Sequence, residues 1–416
     1  MRLDYKEPSE IWTYVPLNVE RSTLNENIPY ADNYMRLEEL TYNLPPDLIA
    51  QEPARPRDAC RLLVLHRATG KIEHRQFPDL LEYLSPLDVV ILNNTRVIPA
   101  RLFAVVAGKE TEQKVEVLLL RQESEAVWEA LVKPGKKAKP GVQLNFGMGV
   151  RGEVLGMTPT GSRRLQFALV DTSSSVGGGV ATLRSSDASS LRSTSREPRR
   201  RALQSPPPLY DALDTTLRKL GAAPLPPYIT TPLKHAGDYQ TVYARQPGSV
   251  AAPTAGLHFT PRMLATLRHH VAAVCSLTLH IGPATFRPIR TDIVEDHPML
   301  PEEFTLSPRT AALINSKKKS GGRIVAVGTS SCRVLESCVD DAGLLHPDSG
   351  ETSLFITQGF RFRAVEALLT NFHLPKSTNL LLVAAFAGRE QTLAAYNEAI
   401  SQHYRFYSFG DAMLII

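Results

Sequence analysis

RLFAVVAG (101–108), KVEVLLLR (114–121), AVWEALVK (126–133), VQLNFG (142–147), VRGEVLGM (150–157) and RRLQFALV (163–170) follow one another closely, broken only by glycine, proline and charged residues. Strand-length apolar runs repeated with no helical period between them predict a small β barrel or sandwich. That domain is expected over residues 93–170. The chain on either side has a different texture, and the contrast sets the domain plan.

Upstream, RLLVL (61–65) and DVVIL (88–92) have the length of buried strands, and the second runs into the turn residues Asn93, Asn94 and Thr95. Downstream, LYDALDTTLRKLG (209–221) reads as an amphipathic helix stopped at Gly221. PRMLATLRHHV (261–271) predicts a helix, VCSLTLHIG (274–282) a strand, RTAALINSKKKSGG (309–322) a helix and RIVAVGTSS (323–331) a strand entering a turn. FRAVEALLTNF (362–372) is expected to be a further helix and NLLLVAAFAG (379–388) a buried strand, followed by LAAYNEAISQHYRF (393–406). Helices alternating with apolar strands predict an α/β domain, expected over 35–92 and 209–416.

Two stretches stand apart. Residues 171–208 are rich in serine, glycine and arginine and nearly free of bulky apolar side chains, so they are expected to be a disordered insertion. Residues 1–34 are polar and aperiodic, and Met35 opens a segment that reads as a natural beginning. They are expected to be a disordered extension or a misassigned start.

The 416 residues carry a formal net charge of +5, with 43% hydrophobic and 21% charged residues. These are the proportions of a soluble globular protein. The charge permits an anionic partner without requiring one. The four cysteines, Cys60, Cys275, Cys332 and Cys338, form no CxxC pair and predict reduced thiols in a cytoplasmic protein. No run of eighteen apolar residues offers a membrane span. No dinucleotide, P-loop or zinc-protease fingerprint is present.

Chemistry must then lie in polar clusters at strand ends. SVAAPTAGLHFTP (249–261) places Thr254 and Gly256 in a tight turn ahead of His258. LTLHIGPATFRPI (277–289) delivers His280, Gly282 and Thr285 to the end of a strand. IVAVGTSSCRVLES (324–337) puts Gly328 and Thr329 in a polar turn, with Arg333 and Glu336 at the spacing of an internal ion pair. TNFHLPKSTNLLL (370–382) gathers Asn371, His373, Lys376 and Ser377 around Pro375. RFYSFGDAMLII (405–416) sets Asp411 beside Gly410. Such clusters on one α/β domain point to a pocket for a polar small molecule. His258, His280, His297 and His373 are each candidates for proton transfer, though such a residue is more often a hydrogen-bonded structural histidine.

Taken in order, these segments resemble the S-adenosylmethionine:tRNA ribosyltransferase-isomerases of queuosine biosynthesis. YNLPPDLIAQEP (42–53), VVILNNTRVIPARL (89–102), LVKPGKKAKPG (131–141), PLPPYI (224–229) and the five clusters carry the likeness. The resemblance implies an α/β domain with an inserted antiparallel β-barrel domain. It implies transfer and isomerisation of the ribosyl part of S-adenosylmethionine onto 7-aminomethyl-7-deazaguanine at the tRNA wobble position. The products are epoxyqueuosine-tRNA, adenine and methionine. No cofactor beyond S-adenosylmethionine as co-substrate, no metal and no membrane are implied, and a monomer is expected.

On this reading His258, His280, His373 and Asp411 are the catalytic candidates. Thr254, Gly256, Gly282, Thr285, Gly328, Thr329 and Asn371 would line the S-adenosylmethionine pocket. Arg96, Arg101, Lys133, Lys136 and Lys376 would meet tRNA. Ala284 and Leu300 depart from the family pattern, which has glycine and histidine there, and Gln358 stands in place of a proline. The departures motivate an alternative, a catalytically impaired tRNA-binding paralogue.

Overall fold

The computed structural model describes residues 35–108, 114–159, 161–170, 208–282 and 289–416. The extension at 1–34, the Ser/Arg-rich stretch through Pro207, Ala284 and Thr285 lie outside them. The chain forms two compact units, one spanning Pro99–Pro224 and the other combining the described chain before Pro99 with Leu225–Ile416.

In chain order the elements begin with β1 (Arg61–His66), β2 (Lys71–Gln76), β3 (Val89–Asn93) and β4 (Thr95–Val97). The first-named unit holds β5 (Arg101–Val106), β6 (Lys114–Gln122), β7 (Val127–Lys133), β8 (Gln143–Gly147), β9 (Val150–Met157), β10 (Arg163–Leu169) and α1 (Pro208–Leu220). The chain continues through β11 (Gln246–Ser249), α2 (Pro261–His270), β12 (Ala273–Leu279), β13 (Glu302–Leu306), α3 (Pro308–Lys319) and β14 (Ile324–Val327). It closes with α4 (Thr329–Ser337), β15 (Asp348–Thr352), β16 (Ala367–Asn371), α5 (Thr378–Ala387), α6 (Arg389–Ser401) and β17 (Ala412–Ile415).

Strands β5 to β10 close a six-stranded barrel in the order β10-β7-β6-β5-β8-β9, with every pair antiparallel. The period-2 alternation does this. Leu144 and Phe146, Val150 and Val154, Leu165 and Phe167 point inward while their neighbours face out. Gly152 is demanded by that interior, since a Cβ there would meet the Phe146 ring at 2.8 Å. Helix α1 packs on β9 and β10 and buries Leu213 and Leu217. The compact unit runs Pro99–Pro224 and takes in α1, against the 93–170 expected for the barrel domain.

The second unit is built on a nine-stranded sheet in the order β15-β13-β12-β3-β14-β16-β17-β1-β2. Its middle strands β12, β3, β14 and β16 run parallel. Every residue of β3, β14 and β16 is buried. Val89 and Ile91 join the core on one face and Val90 and Leu92 that on the other, which is why these strands read as continuous apolar runs. The fold expected, an α/β domain with an inserted antiparallel barrel, is the fold found.

Two element assignments are corrected. FRAVEALLTNF holds the central strand β16, not a helix: its Ala, Glu and Leu are good helix formers, but propensity is worth only tenths of a kcal/mol per residue and burial on both sheet faces overrides it. NLLLVAAFAG holds helix α5, not a strand. Its side chains are buried nearly all round, so no 3.6-residue stripe shows, and Ser377 caps it by accepting the Leu380 N–H at 3.2 Å.

Candidate active site

The parallel strands β12, β3, β14 and β16 end side by side at Leu279, Asn93, Val327 and Asn371. A cleft opens beyond the ends of β12, β14 and β16, with about 710 Å³ of empty space including its open mouth. Ligand sites of α/β sheets form outside the carboxyl ends of the strands, where connections diverge.

Three loops furnish the cleft. The turn Thr254–Gly256 lies against β16, and Thr254 and Ala255 face the cleft. Gly256 is buried there, where a Cβ would sit 1.8 Å from the Tyr243 hydroxyl. Past β14, Gly328 takes φ 88°, a left-handed conformation that glycine reaches without strain, and swings the chain into α4. The start of α4, with its partial positive charge, thus borders the cleft through Gly328, Thr329 and Ser330. The Thr329 hydroxyl donates to Asn379 Oδ1 at 3.0 Å and ties α4 to α5.

The third loop leaves β16 and carries His373. Its Nε2 lies 2.7 Å from the Thr370 hydroxyl. Its backbone N–H donates to the Tyr396 hydroxyl at 3.0 Å, and its carbonyl accepts from the Tyr42 hydroxyl. The imidazole is therefore held at both backbone and ring. Burial pushes its pKa down to about 3, so it is neutral over the ordinary working range.

With this geometry in view, comparison with known proteins is informative. The family model described as "Queuosine biosynthesis protein" matches residues 37–415. An S-adenosylmethionine:tRNA ribosyltransferase-isomerase of Moorella thermoacetica is 47% identical over 383 residues, which is 92% of this chain and 100% of that protein. One of Symbiobacterium thermophilum is 46% identical over 384 residues with the same coverage. A solved S-adenosylmethionine tRNA ribosyltransferase of Thermotoga maritima is 34% identical, covers 91% of this chain and 100% of its own, and superposes with a TM-score of 0.46. The chain belongs to the queuosine biosynthesis protein family.

Of the residues expected from the family likeness, the cleft brings together Thr254, Gly328, Thr329, Asn371 and His373. The others stand elsewhere. His258 is packed behind the 254–256 turn, with Nδ1 3.1 Å from Cys60 Sγ and its ring 5.2 Å from that of Phe77. His280 sits with Nδ1 2.8 Å from the Thr95 hydroxyl and is absent from the lining. His297 packs on Phe355 with ring centroids 5.8 Å apart. Asp411 is buried and accepts the backbone N–H groups of Arg61 at 2.9 Å and Arg405 at 2.8 Å, so its carboxylate fastens the 405–411 loop to β1. The Gly282 N–H donates to Glu302 at 2.8 Å, outside the lining.

Among the RNA candidates, Arg96 and Lys376 are exposed on the α/β unit. Lys376 has φ 57° and is bonded through its backbone to Leu40 and Ile289. In the barrel unit Lys133 and Lys136 are exposed, and Arg101 pairs with Glu116 at 2.9 Å.

The expected internal pair of Arg333 and Glu336 is not formed. Arg333 borders the cleft and pairs instead with Glu302, also donating to the carbonyls of Thr352 and Leu354. Glu336 accepts the backbone N–H groups of Arg363 at 2.9 Å, Ala364 at 3.0 Å and Val365 at 2.8 Å, and so holds the loop that enters β16. Sequence reasoning missed Glu302, Tyr228, Asn379 and Tyr407 in the lining. Glu302 opens an antiparallel strand with no motif to mark it. Tyr228, Asn379 and Tyr407 lie within segments singled out above, PLPPYI, TNFHLPKSTNLLL and RFYSFGDAMLII.

The buried imidazoles set an acid limit. Burial lowers His258 to about 4 and His373 to about 3, from 6.5 in an unfolded chain. Between those values the unfolded state binds protons that the folded state refuses, so stability falls as pH drops below about 6.5. Urea midpoints measured at pH 7 and pH 5 should show the lower value at pH 5, and a midpoint unchanged or higher would contradict this.

Proposed function

We propose that this chain transfers and isomerises the ribosyl moiety of S-adenosylmethionine onto 7-aminomethyl-7-deazaguanine at the tRNA wobble position, giving epoxyqueuosine-tRNA, adenine and methionine. The observation that carries the reading is the coincidence of two things. The chain matches transferase-isomerases over their whole length, and all five polar clusters contribute residues to one cleft at the ends of parallel strands.

The sulfonium acidifies the neighbouring ribose carbon, so a positioned base must take that proton. His373 is the histidine that lines the cleft, and Thr370 and its two backbone bonds fix its direction. We assign it that role. Thr254, Gly328 and Thr329 with the start of α4 suit the polar atoms of the ribose and the methionyl carboxylate. The exposed Arg96, Lys133, Lys136 and Lys376 suit tRNA phosphates. Asp411, His258 and His280 act as supports on this reading. The cytoplasm is the proposed compartment, and among the described residues no helix is long and apolar enough to cross a membrane.

The impaired-paralogue alternative is not favoured, because the relatives matched over their whole length are transferase-isomerases and Leu300 lies outside the cleft lining. The test is incubation with S-adenosylmethionine and tRNA bearing the aminomethyl base. Adenine and methionine should appear in step with modified tRNA. Binding of tRNA without adenine release would refute the activity, and S-adenosylhomocysteine as product would indicate a methyltransferase.

A further inference from the structure

Behind the cleft, two buried polar atoms complement each other. His258 Nε2 and Asn371 Oδ1 are both inaccessible to solvent and have no other hydrogen-bond partner among the described residues. The Asn371 side chain is the one that bonds to the His258 ring and favours a proton on it.

The contacts on either side give this one a direction. Cys60 is 2% exposed and its Sγ lies 3.1 Å from His258 Nδ1. Burial pushes the thiol pKa far up, so the sulfur keeps its proton and donates it. Burial also keeps the ring neutral, and a neutral ring that accepts at Nδ1 carries its proton on Nε2. Asn371 Oδ1 accepts from Nε2, which leaves Nδ2 to donate to the Tyr407 carbonyl at 3.0 Å. A carbonyl only accepts, so the last contact agrees with the sense of the first. Cysteine, histidine and asparagine also make nucleophilic triads, but a nucleophilic sulfur is an accessible thiolate. Here the sulfur is a buried donor, and the chain of bonds carries orientation instead of charge.

That chain ends on a residue that needs holding. Tyr407 has φ 70°, a conformation that costs energy in any residue with a Cβ and persists only where neighbours enforce it. Its carbonyl also accepts from the Gly410 N–H, and its own N–H donates to the Phe372 carbonyl. Tyr407 borders the cleft, its ring centroid is 4.7 Å from that of Tyr228, and the Tyr228 hydroxyl is 2.7 Å from that of Ser408. These three residues make one wall of the cleft.

We propose that Cys60, His258 and Asn371 are positioning residues. Their one-way hydrogen bonds, Sγ–H to Nδ1, Nε2–H to Oδ1 and Nδ2–H to carbonyl, set the Tyr407 turn and with it the wall against which S-adenosylmethionine binds. The inference rests on the cleft being the S-adenosylmethionine site.

The test uses the full-length protein in two measurements. Nitrogen-15 NMR at pH 7 should show His258, assigned by its loss in His258→Gln, as the neutral Nε2–H tautomer. The Nδ1–H tautomer overturns the inference on the wild type alone, whatever becomes of the variants. In steady-state assays His258→Leu should raise KM for S-adenosylmethionine roughly 10-fold, the worth of one lost hydrogen bond, with kcat within about threefold. Asn371→Leu cuts the last contact and should behave alike, so the role stays testable if one variant does not fold. His258→Gln keeps a donor toward Asn371 and should recover most of the loss. A merely structural role would lower stability with KM unchanged, and that result overturns the inference. Equal losses in His258→Leu and His258→Gln, or a loss confined to kcat, overturn it too. No binding of S-adenosylmethionine to the wild type refutes the cleft reading instead, while the tautomer still tests the hydrogen bonds.

Discussion

Replacing His373 by alanine lowers adenine release from S-adenosylmethionine by about 10²- to 10⁴-fold, the usual worth of a positioned general base, while S-adenosylmethionine still binds. The substitution is a clean one because the loop is held through backbone atoms. The 373 N–H to Tyr396 and the 373 carbonyl to Tyr42 survive the loss of the ring. His280→Ala serves as the comparison: that ring contacts Thr95 away from the cleft lining, so its loss should cost less than about tenfold, below the range of a general base. Single-turnover assays on both variants separate the two positions. Wild-type turnover in His373→Ala removes that residue from the reaction, and a larger loss at His280 transfers the role there.

The second large effect is on stability. Glu336→Met leaves the N–H groups of Arg363, Ala364 and Val365 without their acceptor at a place where Glu336 itself is 6% exposed. Such a loss costs about 2–6 kcal/mol, the two buried donors at 364 and 365 accounting for about 1–3 kcal/mol each. A mere surface pair of Glu336 with Arg333 would cost about 0.5 kcal/mol or less, so the two accounts are well separated. Equilibrium urea unfolding measures the difference. Hydrogen exchange gives a local check, because the amides of 363–365 should exchange faster in the variant. A loss under about 1 kcal/mol with unchanged exchange contradicts the role given to Glu336.

Much of the architecture was legible because it rests on short-range pattern. The barrel strands alternate inward and outward residues, and that alternation is written in sequences such as VRGEVLGM. Central strands such as DVVIL show as apolar runs of strand length. The pattern failed where burial is complete on all sides. LLLVAAFA and ALLTN are both buried almost throughout, and neither a period of 2 nor of 3.6 shows in them, so the pattern exchanges helix and strand.

The site was legible as a set of segments and much less as roles. Polar residues after β14 and β16 reach the cleft because a parallel sheet places those ends together. His258, His280 and Asp411 lie in equally polar segments, but their side chains turn to Cys60, Thr95 and two backbone amides. Those partners are distant in sequence, and only the fold reveals them. Glu302 was invisible for the same reason, since its pairing with Arg333 joins β13 to α4 across 31 residues.

The most direct test of the central claim is a crystal structure of the protein with S-adenosylmethionine bound. The ligand should occupy the cleft beyond β12, β14 and β16, with its sulfonium-bearing ribose carbon facing the His373 ring. Ligand density elsewhere, or a pose that turns the ribose away from His373, would contradict it.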